Sequence, residues 1–478
     1  MAVSDTPSDE QIAHFQKAAT DLLGAKGFLI APDMLAPHVK DWRGIFLGRA
    51  CGLALPANTA EAASLVKLCR EYRVSIVPQG GNTGLSGAAT PDQSGRSVIV
   101  NMRRMNRIRS VDIANDTIMV EAGCILADIQ NAANEADRFF PLSLAAEGSC
   151  QIGGNLSTNA GGINVLKYGN ARDLTLGLEV VLPDGSVLDD LDTLRKDNTG
   201  YDLKQLFIGA EGTLGLITAA TLKLFPALRA RATALVALAG IDAAPKLLTR
   251  CRAATADQLI SFELLPRFGL ELAQRHFSAR NPLETAADWC LLIEAATPAS
   301  DFDITLALER SLGEALEAGE IADGLLAESE TQRRELWRLR EAMVEAQPRE
   351  GAGIKHDIAV PVAAIPDFVR SAGAALAALD PTLRPLIFGH VGDGNLHFNI
   401  LQPVGIEAAA FQSRTTEINL IVHDKVAAHR GSISAEHGIG QLRRAELARL
   451  KSPVALAAMR QIKHTLDPDN LFNPGKVI

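Results

Sequence analysis

Two short segments rich in imidazole and carboxylate groups contain the residues best suited to carry out chemistry. GHVGDGNLHFN contains His390, His397 and Asn399, and SAEHG contains Glu436 and His437. Two imidazoles and one carboxylate are a common ligand set for a divalent metal that keeps one coordination position open. The remaining histidine could remove a proton, because its pKa lies near neutrality. The spacing by itself does not identify the metal.

A single histidine is more often a core or surface residue than a ligand. Here, however, four titratable groups occur in two glycine-flanked clusters, which favours a functional site. His397 and Asn399 alternate with apolar neighbours, so they share one face of a predicted strand, and His390 lies across a glycine turn. The clusters therefore predict a site with imidazoles on both sides of one turn.

Three glycine-rich segments in the first half of the chain could accommodate a large ligand. In PQGGNTGLSG, which begins at Pro78 after a predicted strand, backbone N–H groups could form a nest for phosphate oxygens without a cationic side chain. This segment lacks the G-K-[ST] of a Walker loop and is not a Rossmann G-x-G-x-x-G unit. A glycine-rich hairpin turn is the alternative interpretation.

The other two segments are GSCQIGGNLSTNAGG, which begins at Gly148, and GAEGTLGLIT, which begins at Gly209. Because they lack bulky side chains, their backbone could lie flat against a planar ligand or its pyrophosphate. Close packing of a strand and a helix is the alternative for either segment alone. Three such segments in one half of the chain make that alternative weaker.

A third set of candidates is basic. In LWRLREAMV, Leu336, Arg340 and Val344 share one face of a predicted helix, and Lys355 follows in GIKHD. Most Arg and Lys side chains on such helices are simply solvated. The pattern alone therefore gives little support to a role in substrate binding.

Short strands and helices must position these groups. Apolar periodicity predicts helices at 10–25, 59–72 with Thr59 as N-cap, 125–136, 241–254, 301–318 and 326–347, and strands at 74–78, 97–101, 117–121, 178–182, 186–188 and 215–224. The mixture is α+β or α/β in character. The composition changes after Pro226, where alanine and leucine become more frequent and glycine less frequent, so a domain boundary is predicted near residue 226.

Composition excludes several classes of protein. The 478 residues suggest two or three domains, and a net charge of -9 without a basic stripe argues against a nucleic-acid partner. Six cysteines without a C-x-x-C pair favour reduced thiols in a cytoplasmic protein. The polar N-terminus shows no signal pattern, and no stretch of about 18 apolar residues is found, so no membrane span is expected.

Together these motifs resemble the vanillyl-alcohol-oxidase-type flavoproteins, which carry the PCMH-type FAD-binding fold. Within that superfamily the resemblance is to the D-lactate/D-2-hydroxyglutarate dehydrogenase branch, from about residue 40 to the end of the chain. It implies an α+β fold with a two-part FAD-binding domain at 1–226 and an inserted α+β cap, or substrate, domain at 227–425. A C-terminal helical segment at 426–478 would complete the active site.

The resemblance also implies which residues bind the cofactor. The pyrophosphate would contact the first glycine segment, the flavin the second, and the adenine side the third. The residues implied are Pro78, Gly80, Gly81, Asn82, Thr83, Gly84, Leu85, Gly87, Gly148, Ser149, Gly153, Gly154, Asn159, Ala160, Gly161, Glu211 and Ile217. Relatives with a covalent flavin usually carry a His in the first segment, which this chain lacks, so non-covalent FAD is expected.

For the chemical step, the resemblance implies that His390, His397 and Glu436 bind a divalent metal, with zinc expected. His437 would accept the substrate hydroxyl proton while the C2 hydride goes to flavin N5, and Asn399 would hold the C1 carboxylate. Arg340 and Lys355 match residues that hold the distal carboxylate in relatives that use 2-hydroxyglutarate. Val344 replaces a Thr of those relatives, so one hydrogen bond to that carboxylate is expected to be missing.

The expected activity is therefore FAD-dependent oxidation of D-2-hydroxyglutarate to 2-oxoglutarate. D-lactate dehydrogenase is the alternative with the same chemistry, and Lys355 distinguishes them, because a second cation has no partner on a substrate that ends in a methyl group. A flavin subunit of a larger, glycolate-oxidase-like complex is an alternative of a different class, and a purely metal-binding or structural protein is a third.

The electron acceptor is left open among an electron-transfer flavoprotein, a quinone, a cytochrome and oxygen. Family habit suggests a homodimer.

Overall fold

A computed structural model describes residues 7–478 of the chain. These residues form two compact units. The first unit comprises the chain up to Gly162 together with Gly169–Ala227 and Glu436–Ile478, and the second comprises Ile163–Tyr168 and Leu228–Ala435. The domain boundaries predicted from the sequence, at 226 and 425, stay predictions, because the compact units are defined by contacts and not by domain limits.

The strands are short, and most of their residues are buried. They are β1 (Phe28–Leu29), β2 (Gly52–Ala54), β3 (Ser75–Gln79), β4 (Ser97–Asn101), β5 (Ile108–Asp112), β6 (Thr117–Glu121), β7 (Arg138–Phe139), β8 (Thr175–Val181), β9 (Val187–Asp190), β10 (Leu216–Lys223), β11 (Phe225–Pro226), β12 (Ala230–Leu238), β13 (Leu259–Pro266), β14 (Trp289–Thr297), β15 (Ile321–Leu326), β16 (Gly353–Ala359), β17 (Arg384–His390) and β18 (Asn395–Leu401).

The helices occur in both units, and the longest within the described residues, Glu330–Ala346, belongs to the second unit. They are α1 (Asp9–Leu23), α2 (Pro32–Leu35), α3 (Thr59–Tyr72), α4 (Leu126–Glu135), α5 (Ile152–Ser157), α6 (Val165–Tyr168), α7 (Lys204–Phe207), α8 (Ala243–Ala254), α9 (Arg267–Phe277), α10 (Ile304–Glu317), α11 (Glu330–Ala346), α12 (Ile365–Leu379), α13 (Ala408–Gln412), α14 (Thr415–Ala428), α15 (Arg444–Leu450) and α16 (Pro453–Leu466). Short 3₁₀ turns at Gln347–Glu350 and Val362–Ala364 adjoin α11 and α12.

The first unit is built on two main sheets. One has the order β1-β2-β4-β3, with parallel pairing among β2, β4 and β3, and the other has the order β5-β6-β10-β8-β9 with antiparallel pairing. Leu53, Val77 and Ile99 form the core of the first sheet. β3 ends at Gln79, so the first glycine segment leaves the sheet at the edge where a parallel strand ends.

The second unit contains one seven-stranded sheet with the order β15-β12-β14-β13-β17-β18-β16. Each adjacent pair is antiparallel. α9 and α11 pack against one another, and their apolar side chains share a core with Leu265, Leu292, Leu386 and Phe388 of the sheet. The opposite face carries Phe398, whose ring packs edge-on against Phe368 of α12.

Most of the predicted elements are confirmed, with two corrections at helix starts. The side chain of Asn58 caps α3 by accepting a hydrogen bond from the backbone of Glu61, so the prediction that Thr59 is the N-cap was wrong. α11 begins after Ser329, whose hydroxyl accepts from Gln332, and not at 326. Leu326 is instead the last residue of β15, because pairing with β12 takes precedence over helical periodicity there.

The expectation that no stretch of about 18 apolar residues exists stays a prediction, because the candidate stretch found within residues 7–478 includes Asp367 and Arg370. Within residues 7–478, Val362–Leu379 has a mean hydropathy of 1.4, and its composition and length would allow it to cross a membrane. In the structure this stretch contains α12, which places Ile365, Phe368, Ala372 and Leu376 in the protein core at helical spacing. A stripe of this kind is typical of a helix that packs on one face against a sheet.

Candidate active site

The three glycine segments converge on one cleft of the first unit. The cleft is lined by Pro78, Gln79, Gly80, Ala88, Ala89, Met102, Gly153, Gly154, Ser157, Thr158, Glu211, Gly212, Gly215, Leu216 and Ile217. Six of the predicted cofactor residues are among them, and the list contains members of all three segments. The other eleven predicted residues lie in the loop after β3, in the loop before α5 and directly after α5.

Glycine is required at two positions where the walls of this cleft come together. A side chain at Gly153 would place its Cβ 2.7 Å from the Cβ of Ala122. Gly212 has a φ of +69°, and a Cβ there would lie 2.8 Å from the ring of Pro78. Gly154, in contrast, lines the cleft and has nothing within 4 Å of an added Cβ. At this position bare backbone faces open space, as a closely approaching ligand needs.

Buried hydrogen-bond acceptors beside the cleft fit the expected FAD. Oε1 of Gln151 and Oδ1 of Asn155 are buried and accept no hydrogen bond from the part of the chain that the structure describes. Oε1 of Gln151 lies 3.6 Å from the Cβ position of Gly80, which lines the cleft. A buried acceptor without a donor is costly, and the hydroxyl and amide groups of FAD are donors.

The carboxylate of Glu211 holds the C-terminal segment in place. It accepts hydrogen bonds from the backbone of Ile439 at 2.7 Å and of Gly440 at 2.8 Å. Burial raises the pKa of Glu211, and these two N–H groups act in the opposite direction. On the other side of the loop, the hydroxyl of Ser86 donates to the carbonyl of His437 at 2.9 Å. The loop that contains His437 is therefore tied to the first and third glycine segments.

Strand register in the second unit puts His390 and His397, two of the three predicted metal ligands, on one face of the sheet. His397 lies opposite Phe388 on β17, and His390 lies two residues further along the same strand. Residues two apart on a strand share a face, as do residues directly opposite each other. Ring nitrogens of His390 and His397 lie within 4.8 Å of each other, and both are candidate metal ligands.

A buried glutamate that the sequence did not reveal connects His390 with Arg340. Glu263 is fully buried on β13, directly opposite His390. One carboxylate oxygen lies 2.6 Å from Nδ1 of His390, and the other accepts from Nε of Arg340 at 2.9 Å. Burial opposes ionisation of Glu263, but His390 and Arg340 together hold its pKa well below its ordinary value.

Lys355 and Asn399, two of the three predicted substrate residues, occupy the same face. Lys355, which is exposed on β16, lies directly opposite Asn399 on β18. Nδ2 of Asn399 donates to Oε1 of Gln347 at 2.8 Å. Nε2 of Gln347 is buried, and no described residue accepts a hydrogen bond from it. Gln347 follows Val344, where relatives carry the Thr hydroxyl, by about one helical turn. Nε2 of Gln347 is therefore a hydrogen-bond donor at the end of α11, near the position of the missing hydroxyl.

The end of the second unit leads directly to Glu436 and His437. The backbone of Ser432 pairs with Ala359, and the N–H of Ala435 donates to the carbonyl of Asp357 at 3.2 Å. Asp357 is buried, and one of its carboxylate oxygens lies within 4.8 Å of a ring nitrogen of His397. Residues 432–435, the last of the second unit, therefore run beside β16, whose Asp357 lies near His397.

Family models match both parts of the chain. Residues 51–190 match the FAD binding domain family, and residues 227–477 match the family of FAD linked oxidases, C-terminal domain. The mitochondrial D-2-hydroxyglutarate dehydrogenase of Arabidopsis thaliana is 38% identical over 460 residues, covering 96% of this chain and 80% of its own. The D-2-hydroxyglutarate dehydrogenase of Xanthomonas citri pv. viticola is 35% identical, with 93% of each chain covered.

The chain belongs to the FAD-linked oxidases. A Saccharomyces cerevisiae relative, D-2-hydroxyglutarate–pyruvate transhydrogenase, is 32% identical over 98% of this chain and 94% of its own. The predicted resemblance, the FAD cofactor and the oxidoreductase class are thereby confirmed. This FAD-linked oxidase matches relatives over most of their length, so the shared region is not confined to one domain.

Solved structures confirm the predicted PCMH-type α+β fold of this FAD-linked oxidase. p-Cresol methylhydroxylase with bound substrate superposes with a TM-score of 0.76 at 16% identity, covering 98% of this chain and 97% of its own. Alkyldihydroxyacetonephosphate synthase superposes with a TM-score of 0.72 at 18% identity over 99% and 86%. At these identities the likeness concerns the fold alone.

Three residues near the predicted site were missed by sequence reasoning. Asp357 could have been found, because it alternates with Lys355 in GIKHD and so shares its face. Gln347 could have been found from its spacing to Val344. Glu263 gave no signal, because it lies within the apolar run LISFELLP, where an isolated carboxylate does not reveal its partners.

Proposed function

We propose that this FAD-linked oxidase oxidises D-2-hydroxyglutarate to 2-oxoglutarate. The observation that carries the proposal is that two candidate metal-binding imidazoles and two cations, Arg340 and Lys355, belong to one face of one sheet and the helix packed on it. An enzyme that oxidises a 2-hydroxy diacid needs one set of residues at the hydroxyl-bearing carbon and another set that binds the distal carboxylate. The names of the relatives point to the same substrate.

The substrate would be held by its two carboxylates. Asn399 keeps one amide hydrogen beyond its bond to Gln347, and this hydrogen can bind the C1 carboxylate. Arg340 and Lys355 can pair with the distal carboxylate. A charge that leaves water needs such partners, because an unpaired buried charge is costly. These contacts orient C2 and its hydroxyl with respect to the histidines.

His390, His397 and Glu436 would hold a divalent metal, for which we propose zinc. The donor set fits, because the contact of Glu263 with Nδ1 of His390 leaves Nε2 as the ligand nitrogen. Such a metal, when bound, lowers the pKa of a coordinated hydroxyl. His437 then accepts the hydroxyl proton as general base. We propose that the cleft lined by Gly80, Gly154 and Ile217 would hold FAD non-covalently, and that the flavin would supply the acceptor for the C2 hydride.

The cleft can be tested by filling it. Gly154→Leu should leave the first unit folded, because Gly154 is helical and its side-chain direction is open, but leucine would occupy the flavin space. Overfilling a packed site costs about 1–3 kcal/mol, so FAD affinity should fall about 5- to 150-fold. The measurement is flavin fluorescence titration of the deflavinated protein, with acid release showing whether FAD is covalently attached.

Gly313→Leu provides a matched control. Gly313 also lies in a helix, α10, with nothing within 4 Å of an added Cβ, but it belongs to the second unit. Its FAD affinity should equal that of the wild type. If Gly154→Leu is folded and binds FAD as tightly as the wild type, the cleft does not hold the flavin.

Substrate preference should depend on Lys355. A charge-assisted hydrogen bond contributes about 1.5–3 kcal/mol, so its loss should reduce kcat/KM for D-2-hydroxyglutarate about tenfold or more. D-lactate has no distal carboxylate, so its turnover should change little in Lys355→Ala. The measurement is kcat/KM for both acids, with a dye as electron acceptor, in the wild type and the variant.

Lys246→Ala is the control for a general loss of positive charge, because Lys246 is exposed on α8 of the same unit. It should leave both values unchanged. A wild type that prefers D-lactate, or a Lys355→Ala variant that loses both activities equally, would replace this proposal with D-lactate dehydrogenase.

The electron acceptor, the cellular compartment and the oligomeric state are also proposals. We propose an electron-transfer flavoprotein or a quinone as acceptor, although the yeast relative is named for pyruvate. All six cysteines are buried and unpaired, which supports a reducing compartment, the cytoplasm, although the Arabidopsis relative is named mitochondrial. We also propose a homodimer active by itself. Size exclusion of the native protein distinguishes it from a flavin subunit of a larger complex.

A further inference from the structure

We propose that Glu263 is a positioning residue that orients a metal-binding histidine and a substrate-binding arginine with one carboxylate. The inference rests on the proposed function, because it concerns His390 as a metal ligand and Arg340 as a carboxylate-binding residue. It assigns to one buried side chain a role in metal affinity and in substrate affinity. The three residues belong to one compact unit.

The contact with His390 determines which ring nitrogen is available to a metal. An ionised carboxylate only accepts hydrogen bonds, so Nδ1 of His390, 2.6 Å away, carries the hydrogen. In the neutral ring Nε2 is then the basic nitrogen. His390 and Glu263 are directly opposite across β13 and β17, so backbone pairing holds the two side chains together. A carboxylate behind a ligating histidine fixes its orientation and raises its basicity.

The contact with Arg340 leaves the end of the guanidinium available to an anion. Nε of Arg340 donates to Glu263 at 2.9 Å. Within the described part of the chain, no group accepts a hydrogen bond from the two terminal nitrogens. The guanidinium lies 4.8 Å above the ring of Phe388, which fixes its plane. The two terminal nitrogens can therefore bind a carboxylate as a pair without releasing Glu263.

A buried glutamate in the same sheet shows what a purely structural ion pair looks like. Glu294 on β14 is 3% exposed and contacts Arg231, Arg333 and Trp337, but its contacts include no histidine. Like Glu263, it is a buried carboxylate paired with arginine. Its replacement therefore reproduces the loss of a buried charge without touching the proposed metal ligand.

The test compares Glu263→Gln with Glu294→Gln and Arg340→Gln in the FAD-loaded protein. Zinc affinity is measured without turnover, by competition with a chromogenic chelator, and KM is measured for D-2-hydroxyglutarate. Glu263→Gln should weaken zinc binding about 10- to 100-fold and raise KM. Arg340→Gln should raise KM with zinc affinity unchanged. Glu294→Gln should lower only the thermal unfolding midpoint.

A double variant keeps the test decisive if Glu263→Gln does not fold. Removing one member of a buried pair leaves an unpaired charge, whereas Glu263→Gln/Arg340→Gln leaves none. The double variant should show the same loss of zinc affinity. Zinc affinity equal to wild type in whichever Glu263 variant folds would overturn the role of Glu263. A wild type that binds no zinc would instead overturn the metal site of the proposed function.

Discussion

Removal of the proposed divalent metal, or replacement of His390 by alanine, should abolish turnover of D-2-hydroxyglutarate while FAD stays bound. His390 is 7% exposed and lies in the second unit, whereas the cleft proposed for the flavin belongs to the first. Loss of one ligand from a set of three leaves too few donors for tight binding. Without the metal, the hydroxyl pKa returns towards that of an ordinary alcohol, and a histidine cannot deprotonate it efficiently.

The measurement combines metal analysis, the flavin absorption spectrum and dye-coupled turnover before and after chelator treatment. Added zinc should restore the activity of the chelated wild type but not of His390→Ala. His276→Ala is the control, because His276 pairs with Glu350 and has no part in the proposed site. If the protein contains no metal and chelators leave turnover unchanged, the histidine cluster is a plain proton-transfer site.

Replacement of His437 by alanine should reduce kcat about 10²- to 10⁴-fold with the metal and FAD retained, the range expected for loss of a general base. The backbone of this loop is held independently of the imidazole. Ser86 donates to the carbonyl of His437, and Glu211 accepts hydrogen bonds from the backbone N–H groups of Ile439 and Gly440. The substitution should therefore remove the ring without moving the loop.

Imidazole added to the solution provides a readout that a structural defect would not give. A cavity left by the missing ring should admit free imidazole and restore part of kcat. The metal content and flavin spectrum should match those of the wild type. A His437→Ala variant with wild-type kcat would show that another group accepts the proton, and loss of the metal from this variant would make His437 a ligand.

The glycine segments were predictable because their chemistry is local. Absence of a Cβ is a property of each residue, and it is visible in the sequence wherever it occurs. The cleft confirms that all three segments meet, and Gly153 and Gly212 show close contacts that no larger residue could make. Helix starts were less predictable. The choice of Asn58 over Thr59 as the cap depends on which residue takes an extended φ and ψ.

The sequence by itself determined that this chain is an FAD-linked oxidase, and it predicted which histidines belong to the site. It could not determine how these histidines are supported. Glu263 and Arg340 are separated by 77 positions in the chain, and only the pairing of β13 with β17 and the packing of α11 on the sheet bring them to His390. The physical reason is that periodicity reports which face a side chain occupies, whereas its partner depends on strand order and register. Those are decided by the packing of the whole unit.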